Sequence, residues 1–260
     1  MNTDHPASMR RRALLLAAAA TAIGAGCVPL GGESSRVFCL LHGSTHGPSG
    51  WQWLSHSLQQ AGHAVLAPTL PFDDASVTAA HCAALVSRLI DAEGSGRNIT
   101  VVAHSISGLI LPLLASHARV DRLVYLAAAI PRPGHSYREQ FERTPGMYFP
   151  DWFEKGSRVF SDHALARHFL YHDCAPDVVR AVTAARITFA ARRIWTDRFA
   201  LDAHPSIPTR YFAGRGDRVF TPRWMHDEAR RTLGVSAIAL DAGHSPHLSM
   251  PGPLAAALLT

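Results

Sequence analysis

The chain has 260 residues, 47% of them hydrophobic and 17% charged, which suffices for one substantial core and excludes wholesale disorder. Net charge is +5. Arg10, Arg11 and Arg12, offset by Asp4, put +2 of that in the first 31 residues, and no later stretch gathers arginine on one periodic face, so nucleic-acid binding is set aside.

The first 31 residues read as a leader and not as fold. Met9-Arg10-Arg11-Arg12 is a basic segment, and Ala13 to Gly26 is an apolar run too short to span a bilayer comfortably. The paired arginines before Ala13-Leu14-Leu15 resemble a twin-arginine export signal. Ala25-Gly26-Cys27 resembles a lipoprotein cleavage site, at which Cys27 would be lipidated and attach the protein to a membrane. Gly24 stands where such sites usually carry an aliphatic residue. Ordinary cleavage near Ala25 or Cys27, releasing a soluble protein, is therefore the competing reading. Either way the expected location is outside the cytoplasm: periplasmic, membrane-anchored or secreted. With Cys27 lipidated, Cys39, Cys82 and Cys174 remain, an odd number without CxxC spacing. Neither a disulfide framework nor a zinc site is expected, and Cys39, inside Val37-Phe38-Cys39-Leu40-Leu41, is expected to be a small buried side chain.

After the leader, short apolar runs alternate with helical patterns. Strands are predicted at Val37–Leu41, Ala64–Ala67, Ile99–Ala103, Arg122–Leu126, Thr209–Ala213 and Ala237–Leu240. Helices are predicted around Trp51–Gln60, over Ser76–Ala92, and from Ser107 to about His117. This alternation implies an α/β fold: a mainly parallel sheet of about six strands with helices on both faces. Residues 131–205 break the rhythm. They are rich in aromatics, including Tyr137, Phe141, Tyr148, Trp152, Phe169 and Tyr171, and contain no convincing core strand. They are read as a helical cap inserted into a core made of residues 32–130 and 206–260. A cap at the carboxyl ends of the strands would shape a pocket and exclude water.

The segment Val101-Val102-Ala103-His104-Ser105-Ile106-Ser107-Gly108 carries the first chemical signal. Ser105 stands between a predicted strand and a predicted helix, with small residues two positions to either side, as a sharp strand-to-helix turn requires. Glycine is usual at both places; here they hold Ala103 and Ser107. A plain helix N-cap is the bland alternative for Ser105. A serine hydroxyl is a weak nucleophile, which needs a base to take its proton and an acid to orient the base. Asp217 follows the fifth strand and His244 the sixth, in the order Ser, Asp, His. Asp241 is a rival acid, disfavoured because it sits at the strand end and is expected to point elsewhere. An oxyanion would need backbone N–H donors. Ile106, after the serine, and Ser44, in the loop His42-Gly43-Ser44-Thr45-His46-Gly47, are the candidates.

These residues, in this order, resemble the α/β-hydrolase group that includes hydroxynitrile lyases, plant methyl-ester esterases and related bacterial esterases. The resemblance also rests on Leu41-His42-Gly43 with His46-Gly47 and Trp51-Gln52-Trp53, Gly62-His63-Ala64-Val65-Leu66-Ala67-Pro68, Leu123-Val124-Tyr125-Leu126-Ala127-Ala128, Asp173-Cys174-Ala175-Pro176, and Asp241-Ala242-Gly243-His244-Ser245-Pro246-His247-Leu248. It spans roughly residues 36 to 255 and implies the α/β-hydrolase fold. It also implies Ser105 as nucleophile, Asp217 as acid, His244 as base and a small-molecule ester as substrate. The lyases of this group carry Thr at the place of Gly43 and Lys at that of Ser245, so the departures here favour an esterase. Thr45 replaces a common Trp and is expected to enlarge the entrance. Pro48-Ser49-Gly50 lengthens the loop by about two residues relative to the group. Lyase chemistry on a cyanohydrin, and a non-catalytic binding protein of the same fold, remain as alternatives. His163, His168 and His172 with Asp173 suggest a metal cluster, but no third ligand stands in register. No metal or cofactor is expected.

Overall fold

The protein is described by a computed structural model over residues 35–260. The expected leader, with Cys27, lies outside the described residues.

The first strand, β1 (Val37–Leu41), is followed by a 3-10 turn at Pro48–Trp51, helix α1 (Gln52–Gln60) and β2 (Ala64–Leu66). Helix α2 (Ala79–Glu93) begins three residues later than its apolar pattern suggested. The Thr78 side chain accepts from the His81 N–H and caps it there. Strand β3 (Ile99–His104) leads into a 3-10 turn, Ser105–Leu109, and a single helical turn, α3 (Leu111–Leu114). The continuous helix expected from Ser107 to His117 does not form. Pro112 has no N–H to donate, and its ring would clash with the carbonyl four residues back. Strand β4 (Val120–Leu126) comes next. Five short helices then precede the fifth strand: α4 (Tyr137–Glu142), α5 (Trp152–Lys155), α6 (His163–Leu170), α7 (Pro176–Ala184) and α8 (Arg193–Thr196). No strand of the sheet falls within residues 131–205. The chain closes with β5 (Thr209–Gly214), α9 (Pro222–Glu228), β6 (Ile238–Leu240), α10 (Pro246–Ser249) and α11 (Pro251–Leu259).

All six strands are parallel, in the order β2-β1-β3-β4-β5-β6. The chain leaves β1 for β2 on one side and returns to β3 on the other. The crevice past the carboxyl ends of β1 and β3 is thus the switch point where open parallel sheets bind ligands. Alternate residues feed two cores. Val37, Cys39, Leu41, Val101, Ala103 and Tyr125 pack on one face, in a cluster that continues through Tyr137, Tyr148, Phe169 and Tyr171. Phe38, Leu40, Val102, Val124 and Leu126 pack on the other, against Trp51, Leu54 and Leu58 and against Leu254 and Leu258 of α11. Burying a Leu or Phe side chain stabilises the fold by about 1.5–3 kcal/mol, so both covers contribute substantially. Cys39, Cys82 and Cys174 are free and buried, and burial pushes each thiol up to about 12. They are inert packing residues.

The turn after β3 is held against the end of β4. A Cβ on Gly108 would run into the Ala129 carbonyl oxygen and stand 2.9 Å from the Ala128 Cβ. Gly108→Ala is therefore expected to destabilise the protein by about 1–3 kcal/mol through overpacking. This would be read as a lower urea midpoint with an unchanged slope; an unaltered midpoint would show that the turn backs away freely.

Candidate active site

Ser105 adopts φ 56°, in the left-handed region. A residue with a Cβ persists there only when its surroundings over-determine it. Its carbonyl oxygen accepts the Ala129 N–H at 2.9 Å. Two residues on, Ser107 is fully buried, and its hydroxyl donates to the His42 carbonyl at 2.5 Å. The side chain found in place of the usual glycine thus ties the turn to the end of β1. Across the crevice, a Cβ on Gly43 would lie 2.9 Å from His104 Nδ1 and 3.2 Å from the Ser105 Cβ. A threonine at that position would collide with the turn.

The left-handed turn raises the Ser105 hydroxyl towards the loops after β5 and β6. Ser105 Oγ lies 3.0 Å from His244 Nε2 and remains partly exposed. His244 Nδ1 lies 2.9 Å from Asp217 Oδ2, with both side chains almost fully buried. The other Asp217 oxygen accepts the N–H groups of Val219 at 2.7 Å and Phe220 at 3.0 Å. These bonds fix the carboxylate in the acceptor orientation. Nδ1–H then faces Asp217, which leaves the Nε2 lone pair for the serine proton. The Phe220 ring meets His244 edge-on at 5.7 Å. Asp241 is not part of this chain of bonds: its side chain is 89% exposed and pairs with Arg215 at 3.0 Å.

Ile106 occupies the second position of the 3-10 turn, where an amide has no intrahelical acceptor. Neither its N–H nor that of Ser44 is used in a hydrogen bond among the described residues. The loop carrying Ser44 is anchored from residues 131–205. Thr45 Oγ1 accepts the Tyr171 hydroxyl at 3.1 Å, the Ile187 N–H points to the Thr45 carbonyl at 3.4 Å, and His46 forms an isolated bridge with Arg186. Thr45 is buried, and its hydroxyl is engaged with the tyrosine. The lengthened Pro48-Ser49-Gly50 stretch winds into the 3-10 turn before α1.

The histidines weighed and set aside as a metal site do not gather. His163 opens α6, His168 packs edge-on against Phe169, and His172 reaches the Gly216 carbonyl at 2.9 Å. The structure instead assembles a buried trio that sequence reasoning missed: His46, His104 and His247, with ring nitrogens within 4.8 Å of one another. The signals were the adjacency of His104 to Ser105 and of His247 to His244. The trio serves as a hydrogen-bonded layer beneath the site. His104 Nε2–H donates to the His244 carbonyl at 2.8 Å, His46 and His247 meet through their Nε2 atoms at 3.3 Å, and Trp51 covers His247 at 4.3 Å. No carboxylate contacts these three rings among the described residues. His104 Nε2 is spent on the His244 carbonyl, so the three Nε2 atoms cannot all turn to one ion without breaking that bond.

Burial lowers the His46 imidazole to about 4 and holds His104 and His247 well below the usual histidine range, with mutual repulsion adding to the effect. His42 is lowered by burial as well. It donates from Nδ1 to the Gly43 carbonyl and accepts the Leu70 N–H at Nε2, as a neutral ring does.

A sequence model of the alpha/beta hydrolase family matches residues 40–257, and the chain belongs to that family. Methylesterase 7 of Arabidopsis thaliana is 25% identical over 255 residues, covering 87% of this chain and 96% of that protein. Among solved structures, an Arabidopsis methylesterase superposes with a TM-score of 0.68 at 22% identity, covering 86% of this chain and 97% of its own. A pyrethroid hydrolase from Sphingobium faniae superposes with a TM-score of 0.71 at 20% identity, covering 86% and 96%. These superpositions establish the shared fold.

The buried trio makes stability acid-sensitive. Below pH 6.5 the unfolded chain binds protons that folded His46, His104 and His247 refuse, so stability falls as pH drops from about 6.5 towards 4. His46 alone accounts for about 3 kcal/mol over that window. Urea midpoints at pH 7 and pH 5 measure the slope, which His247→Phe should flatten. An equally steep slope in that variant would assign the acid sensitivity to other groups.

Proposed function

We propose that this protein is a serine esterase that hydrolyses small or medium carboxylic esters through an acyl-enzyme. The observation that carries this reading is the unbroken chain from Ser105 Oγ to His244 Nε2 (3.0 Å) and from His244 Nδ1 to Asp217 (2.9 Å). Ser105 Oγ attacks the ester carbonyl while His244 Nε2 takes its proton. The Asp217 carboxylate stabilises the resulting imidazolium and keeps the ring in register. The Ser44 and Ile106 amides stabilise the oxyanion. Collapse of the intermediate expels the alcohol, which receives the proton from His244. Water, activated by the same imidazole, then releases the acid and restores Ser105.

The relatives named as a methylesterase and a pyrethroid hydrolase fit this reading. Cyanohydrin cleavage is disfavoured. Ser245 stands buried where the lyases have lysine, and the sole lysine, Lys155, pairs with Asp151 at the surface. For the leader we propose export, with Cys27 lipidated at the new N-terminus. Metabolic labelling with a fatty-acid analogue should mark the wild-type protein and not Cys27→Ala; an unlabelled wild type would mean ordinary cleavage.

Ser105→Ala is expected to lower kcat for a short p-nitrophenyl ester by about 10⁴-fold or more, and Asp217→Asn by a similar factor, both with near wild-type circular dichroism. Wild-type Ser105 should react with a fluorophosphonate. Retained hydrolysis in Ser105→Ala would refute the assignment, and an unreactive Ser105 would favour a non-catalytic binding protein.

A further inference from the structure

Three consecutive residues between α6 and α7 each touch a different loop of the candidate site. The Tyr171 hydroxyl donates to Thr45 Oγ1 at 3.1 Å, beside Ser44. His172 Nε2–H donates to the Gly216 carbonyl at 2.9 Å, one residue before Asp217. Asp173 Oδ2 accepts the Gly243 N–H at 2.6 Å, one residue before His244. The oxyanion, acid and base loops lie far apart in sequence, and this one tripeptide reaches all three.

The loops it joins are already in contact with each other. The Gly216 N–H donates to the Ala242 carbonyl at 3.0 Å, and the Arg215 N–H to the Leu240 carbonyl at 2.9 Å. These bonds do not use the Gly216 carbonyl or the Gly243 N–H. His172 and Asp173 take up those two groups. The tripeptide is itself fixed: Tyr171 is buried in the core cluster, and the Cys174 N–H donates to the Tyr171 carbonyl at 3.1 Å. From below, His104 holds the His244 carbonyl. The peptide segment carrying the base is thus gripped at Gly243 N–H by Asp173 and at the His244 carbonyl by His104.

We propose that Tyr171-His172-Asp173 is a positioning clamp, which sets the spacing of the oxyanion loop, Asp217 and His244 around Ser105. The clamp rests on the esterase reading above. None of its residues touches the reacting atoms. Each acts through a backbone group or a neighbouring side chain, so removing one misplaces the machinery without removing any of it. Misplacement by a fraction of an ångström falls on the chemical step, while the surface that binds substrate is retained.

The test measures pre-steady-state acylation and steady-state hydrolysis of p-nitrophenyl acetate by the full protein carrying Asp173→Ala, Asp173→Asn, His172→Ala or Tyr171→Phe. Asp173→Ala is expected to slow acylation and lower kcat by about 10-fold, with KM within about twofold of wild type. Asp173→Asn keeps a carbonyl oxygen for the Gly243 N–H and is expected to recover most of the loss. Tyr171→Phe and His172→Ala should likewise lower kcat more than they change KM. The clamp is overturned if an active wild type acylates no faster than Asp173→Ala. It is also overturned if asparagine is as poor as alanine, or if the loss merely tracks the folded fraction seen by thermal melting. A wild type that neither hydrolyses the ester nor labels at Ser105 would instead overturn the esterase reading, and the clamp with it.

Discussion

A serine at φ 56° is the constraint on which the rest of this site depends. Side chains rarely adopt that conformation, and holding one there costs of order 1–3 kcal/mol. The surroundings supply the offset. Gly108 lets the turn press on Ala129, whose N–H holds the Ser105 carbonyl; the Ser107 hydroxyl binds the end of β1; and Gly43 leaves room for His104 and Ser105. These contacts come from β1, β3 and β4, three adjacent strands of the sheet. The strand order therefore does more than support the site: it stores the strain that lifts the hydroxyl clear of the backbone.

The second organising feature is electrostatic. Five buried histidines surround the crevice: His42, His46, His104, His244 and His247. Burial and mutual repulsion keep four of them from charging. Only His244 carries a carboxylate on its ring, at 2.9 Å, and that carboxylate is held by two backbone amides. Of the five rings, His244 is the one with a carboxylate at one nitrogen and Ser105 at the other. The neutral rings still contribute structurally, since His104 binds the carbonyl of His244 itself. The cost of this arrangement is a buried, polar layer that resists protonation and so weakens the fold in acid.

Much of the fold was legible because buried parallel strands read as short apolar runs. Each of the six predicted strands matches its observed counterpart to within two residues at either end. The positions of Ser105, Asp217 and His244 were legible because each lies directly past a predicted strand, which is where the structure brings them together. Other features were not. The predicted helix after Ser105 followed apolar spacing and overlooked Pro112. The Thr45–Tyr171 bond was not legible because the two residues lie 126 positions apart. The histidine trio was missed because His46 and His247 are 201 residues apart.

The sequence by itself determined where the candidate groups fall, since Ser105, Asp217 and His244 each follow the end of a strand that reads as a short apolar run. It also determined the two-faced sheet, because alternation along each strand decides which side chains can leave water on which face. Only the tertiary structure decided that Asp217 and not Asp241 meets His244, that four histidines stay neutral, and that Tyr171-His172-Asp173 reaches all three loops. Those outcomes depend on distance and burial. Both arise when remote segments pack together, and neither is encoded in the local order of residues.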